Sequence, residues 1–123
     1  MAEFGDRELD VMGVLWEAGS ATVAEVRSKL PADLAYTTVL TILRNLESKG
    51  FVRHEGEGKA HRYFPMIAQK AAGTNAVSRL IEKLFGGDPA MLVSHLVSDH
   101  PLSADELKRL HEKLGDRIAE EEK

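Results

Sequence analysis

Thr37, Thr38, Thr41 and Arg44 bring three hydroxyls and a guanidinium into one short run that opens with Tyr36. A threonine hydroxyl can bond a phosphate oxygen or a base edge, and its methyl can pack on a thymine methyl. An arginine in the same run can hold phosphate or guanine. Tyr36 stands where the backbone of a duplex passes. A second group, Lys59, His61 and Arg62, lies in "GKAHR" and offers phosphate contacts of a sequence-independent, electrostatic kind. The pattern fits recognition of a polyanion. Signs of bond-making chemistry are missing, for the sequence shows no paired catalytic acids, P-loop or nucleophile elbow. The histidines, His54, His61, His95, His100 and His111, form no HxxxH or HExxH pair. The absence of cysteine excludes disulfides, cysteinyl metal sites and a thiol nucleophile. The expectation is a non-enzyme with no catalytic residue, no cofactor and no metal.

These side chains need an element to hold them. "AYTTVLTI" is β-branched and aromatic, and local propensity alone favours a strand. On a helical wheel of about 100° per residue, Val39, Ile42, Leu43 and Leu46 share one face. Thr37, Thr41, Arg44 and Ser48 share the opposite face, with Thr38 and Leu40 on the flanks. The helical reading sorts the residues better and continues into "RNLESKG", so a third helix is expected over about 35–49. Ahead of it, a first helix runs from Asp6 to Ala18, with Asp6 as N-cap and Leu9, Met12, Leu15 and Trp16 as its apolar stripe. A second opens on the capping box Thr22-Val-Ala-Glu25, buries Val23, Val26 and Leu30, and stops at Pro31. Helices two and three make a helix-turn-helix pattern. Beyond Gly50, "FVRHEGEGKAHRYFP" reads as a hairpin over 51–65 with its tip at Gly56-Glu-Gly58. Three helices and a hairpin describe a winged helix over residues 1–66, within a mainly α fold. Helix three is then the element for a major groove, and the wing lies on phosphates.

Residues 67–123 read as three more amphipathic helices. One spans 68–85, one follows Asp88-Pro89, and one follows the capping box Ser103–Glu106 with the stripe Leu107, Leu110, Leu114 and Ile118. Helix-turn-helix readers commonly pair two-fold on half-sites one helical turn apart. The region is therefore expected to be a helical dimerisation domain, with Leu80, Leu84, Phe85, Leu92, Leu96, Leu107, Leu110 and Leu114 as contacts. The competing reading folds these helices back on the winged helix as a monomer.

Net charge over the 123 residues is −4, but the sign is uneven. In residues 35–66, Arg44, Lys49, Arg53, Lys59 and Arg62 outnumber Glu47, Glu55 and Glu57, and both flanking regions are net acidic. No apolar run is long enough for a bilayer span and the N-terminus lacks a signal-peptide core, so a cytoplasmic protein without membrane insertion is expected. Three readings stand on the residues: a DNA-binding regulator, a winged-helix protein-interaction module, and a histidine-based metal-responsive regulator.

The segments "RELDVMGVLWEAGSATVAEV", "LAYTTVLTILRNLESKGFV" and "GKAHRYFPM" resemble the BlaI/MecI/CopY family of bacterial transcriptional repressors. The resemblance continues through "RLIEKLFGGDPAMLVSHLV" and "LSADELKRLHEKL" and covers nearly the whole chain. It implies an N-terminal winged helix, a C-terminal dimerisation domain, and a homodimer that binds palindromic double-stranded operator DNA and blocks transcription. In the better-known branch of that family, release follows proteolysis at an Asn-Phe bond in the C-terminal domain, downstream of a membrane β-lactam sensor. The pair that aligns with that bond is His95-Leu96, without the asparagine. The copper-responsive branch uses a C-terminal cysteine cluster, which this sequence lacks. The resemblance does not name the inducing signal.

Overall fold

The computed structural model describes residues 4–58 and 60–123; Lys59 lies outside the described residues. Six helices and a three-stranded sheet follow in the order α1 (Asp6–Ala18), β1 (Ala21–Thr22), α2 (Val23–Lys29), α3 (Tyr36–Ser48), β2 (Val52–Glu57), β3 (Ala60–Pro65), α4 (Gln69–Leu84), α5 (Pro89–Asp99) and α6 (Ala104–Glu121). The chain divides into two compact units, Met1–Val77 and Ser78–Lys123. The division falls inside α4 rather than at 66/67. The part of that helix through Val77 belongs to the N-terminal unit, where Ala72 is buried.

In the N-terminal unit, α1, α2 and α3 close a core with the sheet. Val11, Met12 and Leu15 of α1 meet Val23 and Val26 of α2, Val39, Leu43 and Leu46 of α3, and Val52 and Tyr63 of the hairpin. The α3 wheel is thus correct in its inward face, apart from Ile42, which is only half-buried. Burial of Val39, Leu43 and Leu46 outweighs the local strand preference of the run. Each such side chain contributes roughly 1.5–3 kcal/mol on leaving water, against a few tenths for a β-branched residue in a helix.

Two expectations for α1 need correction. Its N-cap is Gly5, not Asp6, and the cap is made in reverse: the Gly5 N–H donates to Glu8 Oε1 at 2.9 Å. Asp6 becomes a first-turn acid, where it favours the positive end of the helix. Leu9 is exposed and Val11 is buried. The inward stripe is therefore Val11, Met12 and Leu15, with Trp16 on its flank donating its indole N–H to the Ile67 carbonyl at 2.8 Å.

The sheet has strand order β1-β3-β2 and is antiparallel throughout. β3 is central. Tyr63 lies opposite Ala21 on one side and His54 on the other; Arg62 lies opposite Thr22 and Glu55. The capping box of α2 is present: the Glu25 N–H donates to Thr22 Oγ1 and the Thr22 N–H donates to Glu25 Oε1. The β-hairpin turns at Gly58, whose φ of +62° suits a residue without Cβ.

In the C-terminal unit, α5 starts at the Asp88 cap with Pro89 in its first turn, and α6 starts at the Ser103–Glu106 box. No residue after Ala72 is buried among the described residues. Phe85 and Leu92 are half-buried, and the Phe85 ring lies 5.9 Å from that of His95. Leu80, Leu84, Leu96, Leu107, Leu110 and Leu114 are exposed. No helix among the described residues is long and apolar enough to cross a membrane.

Candidate nucleic-acid interface

The start of α3 is chemically open. Its N-cap, Ala35, has no side chain able to accept from the first-turn N–H groups, and no acid occupies that turn. The other capped helices carry either a capping side chain or first-turn acids. The first-turn N–H groups and the positive helix end at Tyr36–Thr38 are therefore left available to an anion. Tyr36, Thr37, Thr38, Thr41 and Arg44 are all exposed. Thr41 differs from its neighbours in one respect: its hydroxyl donates to the Thr37 carbonyl at 2.9 Å. That back-bond occupies its proton, leaving the methyl and the oxygen lone pairs to face outward.

The approach of α2 to α3 is fixed by the turn between them. Arg27 Nε donates to the Leu34 carbonyl at 2.8 Å, bracing the segment that delivers Tyr36. At the far end of α3, Lys49 Nζ reaches Glu8 at 2.8 Å and joins α3 to the start of α1.

The wing departs from expectation at Arg62. Its guanidinium is not held out toward a ligand; Nη2 pairs with Glu25 Oε1 at 3.0 Å and Nη1 donates to Ser20 Oγ at 3.3 Å. The register explains this, since Arg62 sits opposite Thr22 and its side chain falls beside the first turn of α2. Glu25 is held below the usual carboxylate range, first by the Thr22 N–H, then by the Thr22 hydroxyl, with Arg62 adding to both. Arg62 thus ties the sheet to α2. Its pairing is visible only when β1 and β3 are in register, which no local pattern reveals.

His61 is exposed and stacks on His54, ring centroids 4.6 Å apart at 19°. His54 was not singled out by spacing, and neither was Glu47. The His54 N–H donates to Glu47 Oε2 at 3.1 Å, and His54 Nδ1 lies 2.7 Å from the same oxygen. Period-two alternation in β2 puts His54 on the same face as buried Val52, the face that carries Tyr63. The link to Glu47 is a tertiary contact across the turn after α3. Tyr63 itself is buried, and that burial pushes its phenol up, with Arg44, Glu47 and Tyr36 within electrostatic reach. The hairpin face carrying Tyr63 is therefore turned toward α3. Among the described residues, no group of three or more His, Asp or Glu side chains could hold a metal ion.

This geometry has relatives. The penicillinase repressor family model matches residues 4–116. The transcriptional regulator BlaI of Mycobacterium tuberculosis is 42% identical over 69 residues, covering 54% of this chain and 50% of that protein. The chain thus spans about half the length of that relative. The penicillinase repressor of Bacillus licheniformis is 27% identical over 112 residues, covering 89% of this chain and 88% of the other. Among solved structures, the DNA binding domain of the repressor BlaI is similar at 33% identity and a TM-score of 0.51, covering 55% of this chain and 84% of that one. A MarR family protein from Bacillus stearothermophilus shares the fold at 20% identity, with a TM-score of 0.51 over 99% of this chain and 78% of that chain. With the winged helix in place and the family model running from the first described residue through most of α6, the chain belongs to the penicillinase repressor family.

Proposed function

We propose that this protein is a homodimeric transcriptional repressor that seats α3 in the major groove of palindromic operator DNA. The observation that carries this reading is the uncapped, acid-free start of α3, with Tyr36, Thr37, Thr38 and Arg44 exposed around it. In this reading Thr37, Thr38 and Arg44 meet base edges and phosphates. Tyr36 and His61 flank the backbone, and Lys59 adds a wing charge. Thr41 contributes its methyl and lone pairs, and Arg62 acts chiefly by bracing the wing against α2. The apolar faces of the C-terminal unit join two copies so that two α3 helices address two half-sites.

Release by cleavage at His95-Leu96 carries a structural condition. The bond lies inside α5, so a protease working there needs that helix to open first. A membrane sensor pathway would supply the protease.

The test is binding to a duplex taken from the promoter region of its own gene, against a random duplex of equal length. Sequence preference is expected. Arg44→Ala should cost about 1–3 kcal/mol of specific binding and relax preference at the base positions it reads. Equal affinity for both duplexes would overturn the operator-binding reading.

A further inference from the structure

The hairpin carries two stacked imidazoles on the face turned toward α3, one of them anchored by a carboxylate from that helix. We propose that His54 and His61 together form a proton-loaded phosphate clamp, so that DNA binding by the wing takes up a proton. The inference rests on the DNA-binding reading and adds His54 to the interface as well as a dependence on pH.

The geometry assigns the roles. His54 lies opposite Tyr63 in the ladder, and His61 is the diagonal neighbour two residues before Tyr63, so both rings project from one face. Gly56, opposite His61, has no side chain to stand between them. Glu47 binds the backbone N–H and Nδ1 of His54. A carboxylate only accepts, so the ring proton belongs on Nδ1, and Nε2 is left as the basic nitrogen. A proton arriving at Nε2 makes a donor for a phosphate oxygen and a cation whose counter-charge, Glu47, is already in place. Glu47 from α3 and Tyr63 from β3 contact His54, and Arg44 and Tyr36 from α3 lie within electrostatic reach of Tyr63. Arg53, Glu55 and Arg62 lie at the alternate positions of the hairpin. There Arg53 pairs with Glu55 and covers the Phe64 ring, and Arg62 pairs with Glu25.

Two imidazolium rings at stacking distance repel each other, so the clamp takes up one added proton rather than two. Phosphate stabilises the protonated pair. The bound state therefore keeps its proton to higher pH than the free state. The added affinity is present at low pH and is lost as pH rises. The wing becomes a pH-dependent term in affinity that is blind to sequence.

The experiment measures binding of the full chain to a random-sequence duplex at low salt, at about pH 6 and about pH 8. The native protein is expected to weaken by about three- to tenfold per pH unit for each half-site in that window. His61→Gln, which leaves the Glu47–His54 anchor and its free Nε2 in place, should bind more weakly at both values while keeping a pH slope. His61→Lys, with a fixed charge, should bind tightly at both. His54→Gln, which removes the nitrogen placed to take the proton, should flatten most of this dependence while leaving helix content unchanged. His95, His100 and His111 remain in every variant and cancel from the comparison. If His54→Gln retains the full slope, or His61→Lys weakens with pH as the native protein does, the clamp is refuted while DNA binding stands. Failure to bind any duplex at either pH overturns the DNA-binding reading and the clamp together.

Discussion

In the unit Met1–Val77 the apolar stripes of α1, α2 and α3 meet one another, and Leu15, Leu43 and Leu46 are sealed from solvent. In the unit Ser78–Lys123 the stripe of α6 is more regular, running Leu107, Leu110, Leu114 and Ile118, yet those side chains stay 41–55% exposed. Helical periodicity says which face wants burial but not what will cover it. The first unit answers within its own chain. The second leaves apolar side chains on α4, α5 and α6, including Leu84, Leu96 and Val97, without a core to enter. A stable protein interface hides roughly 1,200–2,000 Å² in total, and apolar faces of this kind are where such area comes from. The proposed dimer gives the second unit its core.

The largest expected effect comes from breaking that asymmetry in the C-terminal unit. Leu110→Asp with Leu114→Asp puts two charges on the α6 stripe. Sedimentation equilibrium should show a monomer. Operator affinity should fall by about 10²–10⁴-fold, because the second half-site loses its tethered partner. The N-terminal unit should keep its fold. A variant that stays dimeric and binds as before would show that α6 does not form the interface.

Next in size is the converse change. Leu43→Ala in the closed core should cost about 2–5 kcal/mol in urea unfolding, through lost transfer energy and the cavity left behind. Leu107→Ala, measured in the monomeric background, should cost less than about 1 kcal/mol, since an exposed leucine gives up little on truncation. Similar costs at the two positions would mean that the α6 stripe already packs within one chain.

The same contrast marks what could be read from the sequence. The helix order, the three-helix-plus-wing architecture and the inward face of α3 follow from spacing alone, because Val39, Leu43 and Leu46 fall on one side of one helix. The boxes Thr22–Glu25 and Ser103–Glu106 are local, three residues apart, and the structure contains both. What escaped is tertiary. Gly5 caps α1 with no side chain of its own, through Glu8. Arg62 answers to Glu25, and His54 to Glu47, through register and turn geometry that no single element encodes. Within the candidate interface, exposure of Thr37, Thr41 and Arg44 was legible from the wheel, whereas Thr38 stood on its flank and the Thr41 back-bond depended on a rotamer.

The smallest effect sharpens the comparison most, because the same device occurs in both units. In each box the glutamate accepts from the N–H of its cap residue, and both Glu25 and Glu106 are held below the usual carboxylate range, first by that backbone N–H and then by the cap hydroxyl. A lowered folded-state pKa stabilises above the unfolded value, and that contribution is lost as pH falls through the folded one. Both boxes should therefore weaken in acid, below the ordinary carboxylate range. Their consequences differ because Glu25 also holds Arg62 of β3, so the α2 box is joined to the sheet. Trp16 is the only tryptophan and donates to the Ile67 carbonyl within the N-terminal unit, so its fluorescence reports that unit alone. Thr22→Ala should cost about 1 kcal/mol of stability and move the acid transition of Trp16 to higher pH. Ser103→Ala should lower helical circular dichroism through fraying of α6 and leave the Trp16 transition where it was. A shift of the Trp16 transition by Ser103→Ala would mean that the two units unfold as one, and the independence of the N-terminal core would have to be given up.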